Sequence, residues 1–116
     1  MQTDKSTQCY SAVLIFESSC PAPDYDRLYE EQLVLLRATS IEEAREKANA
    51  YGKQAEHSYE NGYGETITIS FKQLVDVQQS LYEGEPISTG SEVYSRYFRD
   101  YSAYEHFETL LKGQQL

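Results

Sequence analysis

Apolar residues recur along this chain with two different periods, and the switches between them mark its elements. From Cys9 to Ser18 both alternating sets are apolar, Val13 and Ile15 on one and Ala12, Leu14 and Phe16 on the other. That pattern predicts an interior strand. Pro21, Pro23, Asp24 and Asp26 cannot sustain a ladder, so residues 19–27 read as a loop. Residues 28–38 resume a strand, with Leu33 and Leu35 on one face and Val34 and Leu36 on the other.

At Ser40 the period changes. Ser40 with Glu43 three residues on is a capping-box signature, and Ile41, Ala44, Ala48, Tyr51 and Ala55 then recur at helical steps. The spacing predicts one amphipathic helix over Ser40–Tyr59, with a slim, alanine-rich stripe that brings its axis close to a sheet. Asn61, Gly62 and Gly64 end it and turn the chain. Residues 66–78 then alternate, Ile67, Ile69 and Phe71 against Thr66, Thr68 and Ser70, until the phase slips between Lys72 and Leu74. A bulge there, or a fully covered second half, would account for the slip.

Residues 80–91 read as a second connection, residues 92–98 as an aromatic-rich strand, and a final helix is predicted from Ser102 to Gly113. The expected fold is therefore α+β: a single small domain over residues 9–113, with order β-β-α-β-β-α. Its sheet is four-stranded and mostly antiparallel, with both helices on one face. Residues 1–8 read as a disordered N-terminus and 114–116 as a C-terminal tail.

Composition narrows the function classes. The 116 residues contain 19 acidic and 10 basic side chains, a net charge of -9 that disfavours nucleic acid as a direct partner. No apolar run approaches the roughly 20 residues of a membrane span, and residues 1–8 lack a signal-peptide core, so the expected location is the cytoplasm. Cys9 and Cys20 flank the first strand and read as reduced thiols, and no metal or cofactor motif is present.

His57 and His106 fall on different predicted helices without ligand partners at metal spacing. Glu30 and Glu31 point to opposite faces of a strand, which removes them as a catalytic pair. Eleven tyrosines without a tryptophan are the distinctive feature, because a buried phenol needs a hydrogen-bond partner and not all can be core. The candidate binding residues are Tyr10, Tyr29, Tyr59, Asn61, Tyr94 and Arg96, with the Arg96 guanidinium suited to a small anionic ligand or a partner's carboxylate.

Several blocks resemble the bacterial domain-of-unknown-function family 4288: Tyr10-Ser11-Ala12, the run from Tyr29 to Ala38 with Glu42-Glu43-Ala44, His57 to Asn61 with Gly64-Glu65, then Asp76-Val77 and Glu92 to Arg96. The resemblance implies one domain and carries no chemistry. The reading the residues favour is a non-enzymatic binding or interaction domain, forming a homodimer or meeting a protein partner through a tyrosine-rich surface. One alternative is an acidic inhibitor or immunity-type protein that blocks a basic toxin or nucleic-acid enzyme. Another is a small-molecule or nucleotide sequestering protein in which Tyr59, Asn61, Tyr94 and Arg96 converge on one pocket.

Overall fold

The computed structural model of the chain describes residues 7–80 and 91–107; the side chains of residues 91–96, 106 and 107 lie outside the described set. Five strands form one antiparallel sheet: β1 (Gln8–Ser19), β2 (Tyr29–Ala38), β3 (His57–Glu60), β4 (Thr66–Gln79) and β5 (Ser91–Phe98), in the order β3-β4-β1-β2-β5. Helix α1 spans Ile41–Gln54 and α2 spans Tyr101–Phe107. The fold is α+β as expected, with a fifth strand where four were predicted.

Strand β1 lies at the centre, as its two apolar sets predict. Tyr10, Ala12, Leu14 and Phe16 face α1 and pair with Leu36, Val34, Gln32 and Glu30 of β2. Across β4 the same residues meet Gln79, Val77, Leu74 and Phe71. Register shifts fall between Val13 and Leu14 and between Ile15 and Phe16, leaving Val75 and Lys72 of β4 as extra residues. Each bulge absorbs one residue, so Phe71, Leu74 and Val77, spaced by three, all reach the face beneath α1. The slip in phase is a bulge, twice.

Helix α1 starts where the capping box places it. Ser40 is extended and its Oγ accepts the Glu43 N–H at 3.1 Å, while Glu43 accepts from the Thr39 N–H and hydroxyl at 2.6 and 3.0 Å. Those two donors hold the Glu43 carboxyl below its ordinary value. A folded-state value below the unfolded one means that this contribution is present above the ordinary carboxyl range and fades as pH falls through the lowered value. Ser40→Ala is expected to cost about 1 kcal/mol at neutral pH in chemical denaturation.

The helix ends earlier than predicted, at Gln54 with Ala55 as its C-cap rather than at Tyr59. His57–Glu60 leave it to form the edge strand β3, so His57 stands on a strand and not on a helix. Ala44, Ala48 and Gly52 are its buried residues, with Tyr51 and Ala55 packed alongside, whereas Ile41 is exposed. The slim stripe is therefore one position longer and smaller than the alanines alone suggest.

The two helices lie on opposite faces, not on one. The Tyr51 hydroxyl donates to Gln32 at 3.1 Å beneath α1, and the Tyr104 hydroxyl of α2 donates to the neighbouring Glu31 at 2.6 Å. Adjacent strand residues point to opposite faces, which separates the two contacts. Asp100, whose carboxylate accepts the Ala103 N–H at 3.0 Å, caps α2, two residues ahead of the predicted Ser102. The loop predicted over 80–91 falls largely outside the described residues, as do the chain termini and the end of the second helix at Gly113.

Candidate functional site

A helix rises about 1.5 Å per residue and a strand about 3.3 Å, so the 14 residues of α1 cannot cover the full length of the 12-residue β1 beneath them. The helix begins beside the Tyr10 end and stops over Phe71, leaving the far end of that sheet face open. Helix α2 covers the same end from the other side. The strip beyond α1 crosses every strand. It runs from His57 and Tyr59 on β3 through Ile67 and Ile69 on β4, Phe16 and Ser18 on β1 and Leu28 and Glu30 by β2 to Tyr97 on β5; Ile67, Phe16 and Ser18 in its middle are buried, and the exposed side chains are His57, Tyr59 and Tyr97 at its two ends.

At its centre Phe16, Glu17, Ser18, Leu28, Glu30, Ile69 and Tyr97 border a small, mostly apolar depression of about 30 Å³. The floor is rigid. Ser18 Oγ accepts the Leu28 N–H at 3.0 Å and lies 2.8 Å from the Tyr25 hydroxyl, so its polar atom is satisfied although the residue is buried. The rims are not covered: Tyr59 is 50% and Tyr97 61% exposed. They sit at opposite sheet edges, four strand spacings (roughly 19 Å) across and four residues (roughly 13 Å) along the strands, or roughly 23 Å apart.

The opposite face at this end is closed by an aromatic cluster. Phe98 stacks on Tyr104 with centroids 4.7 Å apart and on Tyr29 at 5.6 Å, and Tyr101 lies 5.1 Å from Tyr29. Lys72, projecting from one bulge, places its Nζ 4.6 Å from the Tyr101 ring centroid and 3.6 Å from Glu17 Oε1, while Glu17 also pairs with Arg27. Burial, with help from Glu105, pushes the Tyr101 phenol up to about 12, and burial likewise raises Tyr29. Both rings stay neutral at physiological pH and act as packing. Glu31 is 2% exposed and accepts from Tyr104 here, a structural carboxylate rather than a ligand site.

The six residues singled out from sequence separate accordingly. Tyr10 is core and Tyr29 belongs to the aromatic cluster. Tyr59 borders the open strip. Asn61 builds the β3–β4 turn: its Oδ1 accepts the Tyr63 and Glu65 N–H groups at 2.8 and 3.0 Å and its amide donates to Glu65. Tyr94 and Arg96 pair in register with Leu33 and Glu31, and their side chains lie outside the described set. Strands β3 and β5 are the two edges of the sheet, so Tyr59, Asn61, Tyr94 and Arg96 do not meet and the single pocket expected of them does not form.

Sequence reasoning missed Tyr97, Ile69 and Glu30 as one surface. Tyr97 differs from Tyr94 in strand phase, and pairing with Glu30 across β2 sets it on the α1 side. Among the described residues no group of three or more His, Cys, Asp or Glu side chains gathers as a cation site, and no helix is long and apolar enough to cross a membrane. Cys9 and Cys20 are free thiols.

The surface belongs to a small α+β domain. The family model described as a domain of unknown function, DUF4288, matches residues 9–95, three quarters of the chain, and the chain belongs to that family. No curated protein and no solved structure matches it.

Proposed function

We propose that this chain is a non-enzymatic binding domain that recognises a protein partner through the open strip beyond α1. The observation that carries the reading is the exposure of Tyr59 and Tyr97 on one sheet face with apolar Ile69 and the small depression between them. Tyrosine supplies a large, stiff, amphipathic contact surface at low entropic cost and is enriched at interfaces. Glu30 beside the depression and the net charge of -9 favour a partner that offers an apolar anchor flanked by basic side chains. An inhibitor or immunity role is one form of this reading, distinguished by a basic enzyme as the partner.

The test is capture from a lysate of the protein's own host on immobilised full-length chain, with Tyr97→Arg in parallel. Tyr97 is surface-exposed, so the variant should fold, and circular dichroism verifies that. Because tyrosine anchors in an interface cost about 2 kcal/mol or more when lost, the specific partner should be recovered at least about tenfold less on the variant. Equal recovery on both surfaces, or no saturable partner on either, would overturn the reading.

A further inference from the structure

The edge strand β3 pairs only with β4 among the described residues. All four of its residues are exposed, and it contains neither proline nor lysine, two common devices for blunting an edge. Which of its backbone groups point outward follows from the hairpin. Asn61 N–H donates to the Glu65 carbonyl at 2.9 Å, so Asn61 and, two and four residues back, Tyr59 and His57 turn their backbone toward β4. The next β4 donor in that row, Phe71 N–H, is taken by the Glu56 carboxylate at 2.9 Å where β3 has ended. Ser58 Oγ, 3.1 Å from Thr68 Oγ1, marks the close, non-hydrogen-bonded pair that this alternation requires. The N–H and C=O groups of Ser58 and Glu60 therefore face away from the sheet.

We propose that a second copy of this chain docks on this edge, β3 against β3, antiparallel about a two-fold axis through Tyr59, joining the two sheets into one. Only outward-facing residues can exchange backbone bonds, which limits the symmetric registers to three. Pairing Ser58 with Ser58 of the second copy, or Glu60 with Glu60, uses one outward residue per chain, and the latter sets two carboxylates directly opposite each other. Pairing Ser58 with Glu60 uses both, forms four N–H to C=O bonds, and places the Glu60 carboxylate across from a hydroxyl. It also sets the two Tyr59 residues opposite each other in a close, non-hydrogen-bonded pair on the α1 side, where aromatic cross-strand pairs are favourable. His57, whose ring stacks 6.1 Å from Tyr59, extends that aromatic row on each side. The half-exposed Tyr59 then has a partner of matching shape, and the two open strips become one continuous surface. The interface is small, so the association is concentration-dependent.

This inference goes beyond the partner reading and stands without it, because it uses the backbone of β3 and not Tyr97. Sedimentation velocity on the full chain up to about 1 mM is expected to show a reversible monomer–dimer equilibrium, weakened at least about tenfold in Ser58→Pro. Proline there removes an outward N–H and leaves the β4 ladder intact. Should Ser58→Pro misfold by circular dichroism, a second measurement decides. In a Cys20→Ser background, Tyr59→Cys places two thiols at a Cα separation of about 4.5 Å, within disulfide range. With oxidised glutathione it is expected to form covalent dimer at least about tenfold faster than Tyr63→Cys, a more exposed site off the axis, since pairing raises the local thiol concentration. A strict monomer with equal cross-linking at both sites would overturn the proposal. A dimer that survives Ser58→Pro unchanged would also overturn it, by moving self-association to another surface.

Discussion

Replacing Gly52 with alanine is expected to destabilise the domain by about 1–3 kcal/mol, the opposite sign to the usual effect of this change inside a helix. At an ordinary helical position alanine gains about 0.5–1 kcal/mol over glycine, because glycine gives up more backbone freedom on folding. Gly52 is buried, and a Cβ there would stand 2.6–2.7 Å from three atoms of the Phe71 ring. Those are the atoms at the root of the ring, so a small swing of its tip does not relieve them. Retreat is also obstructed on the inner side, where the Phe16 ring lies 5.7 Å away at a 48° tilt. Either the helix lifts off the sheet or Phe71 leaves its rotamer, and both cost packing along the alanine stripe. Thermal unfolding should show a loss of roughly 4 °C per kcal/mol for a domain of this size. Phe71→Leu alone should also destabilise, but combined with Gly52→Ala it should recover part of the loss, giving a coupling of about 0.5–3 kcal/mol. Additive losses in the double variant would mean that the helix and the ring do not meet as described.

The residues that make this contact show how far the sequence speaks for the fold. Ala44, Ala48 and Phe71 carry their burial in a local rhythm, whereas the slip at Leu74 fits a bulge or a fully covered strand equally well, and only the pairing with β1 shows that there are two bulges. Ser40 and Glu43 announce the helix start because a cap is a local bond. The helix end was harder to read, since Glu56 to Tyr59 continue a tolerable amphipathic pattern and no glycine stands at Ala55. What pulls His57–Glu60 out of the helix is the bare edge of β4, a partner supplied from later in the chain. The same limit applies to the site. Whether Tyr59 and Arg96 lie together depends on strand order, and the crossover that carries α1 from β2 past β1 to the far edge is invisible in periodicity. Asn61 was legible as a turn residue, because an asparagine among glycines bonds its own backbone wherever the turn is placed.

Leu14→Ala is expected to cost about 2–5 kcal/mol, whereas Val13→Ala, one residue away on the same strand, should cost only about 1 kcal/mol. The sequence makes both apolar and offers no reason to rank them. The ranking comes from what lies above each face. Leu14 is fully buried, flanked in register by Leu74 and Gln32 on the side that α1 covers with Ala44, Ala48 and Gly52. Because that stripe is already made of the smallest residues, the helix has little bulk to lend to a cavity, and alanine at position 14 leaves a void that the neighbours cannot fill. Val13 is only partly buried and is flanked by Leu33 and Asp76, on the side where α2 covers the other end of the sheet. Truncation there exposes a little more of a surface that already meets solvent. Since small domains hold only about 5–15 kcal/mol in total, Leu14→Ala should consume a large fraction of the stability and lower the denaturant midpoint with an unchanged slope. Equal losses at the two positions would mean that both faces of β1 are sealed to the same degree.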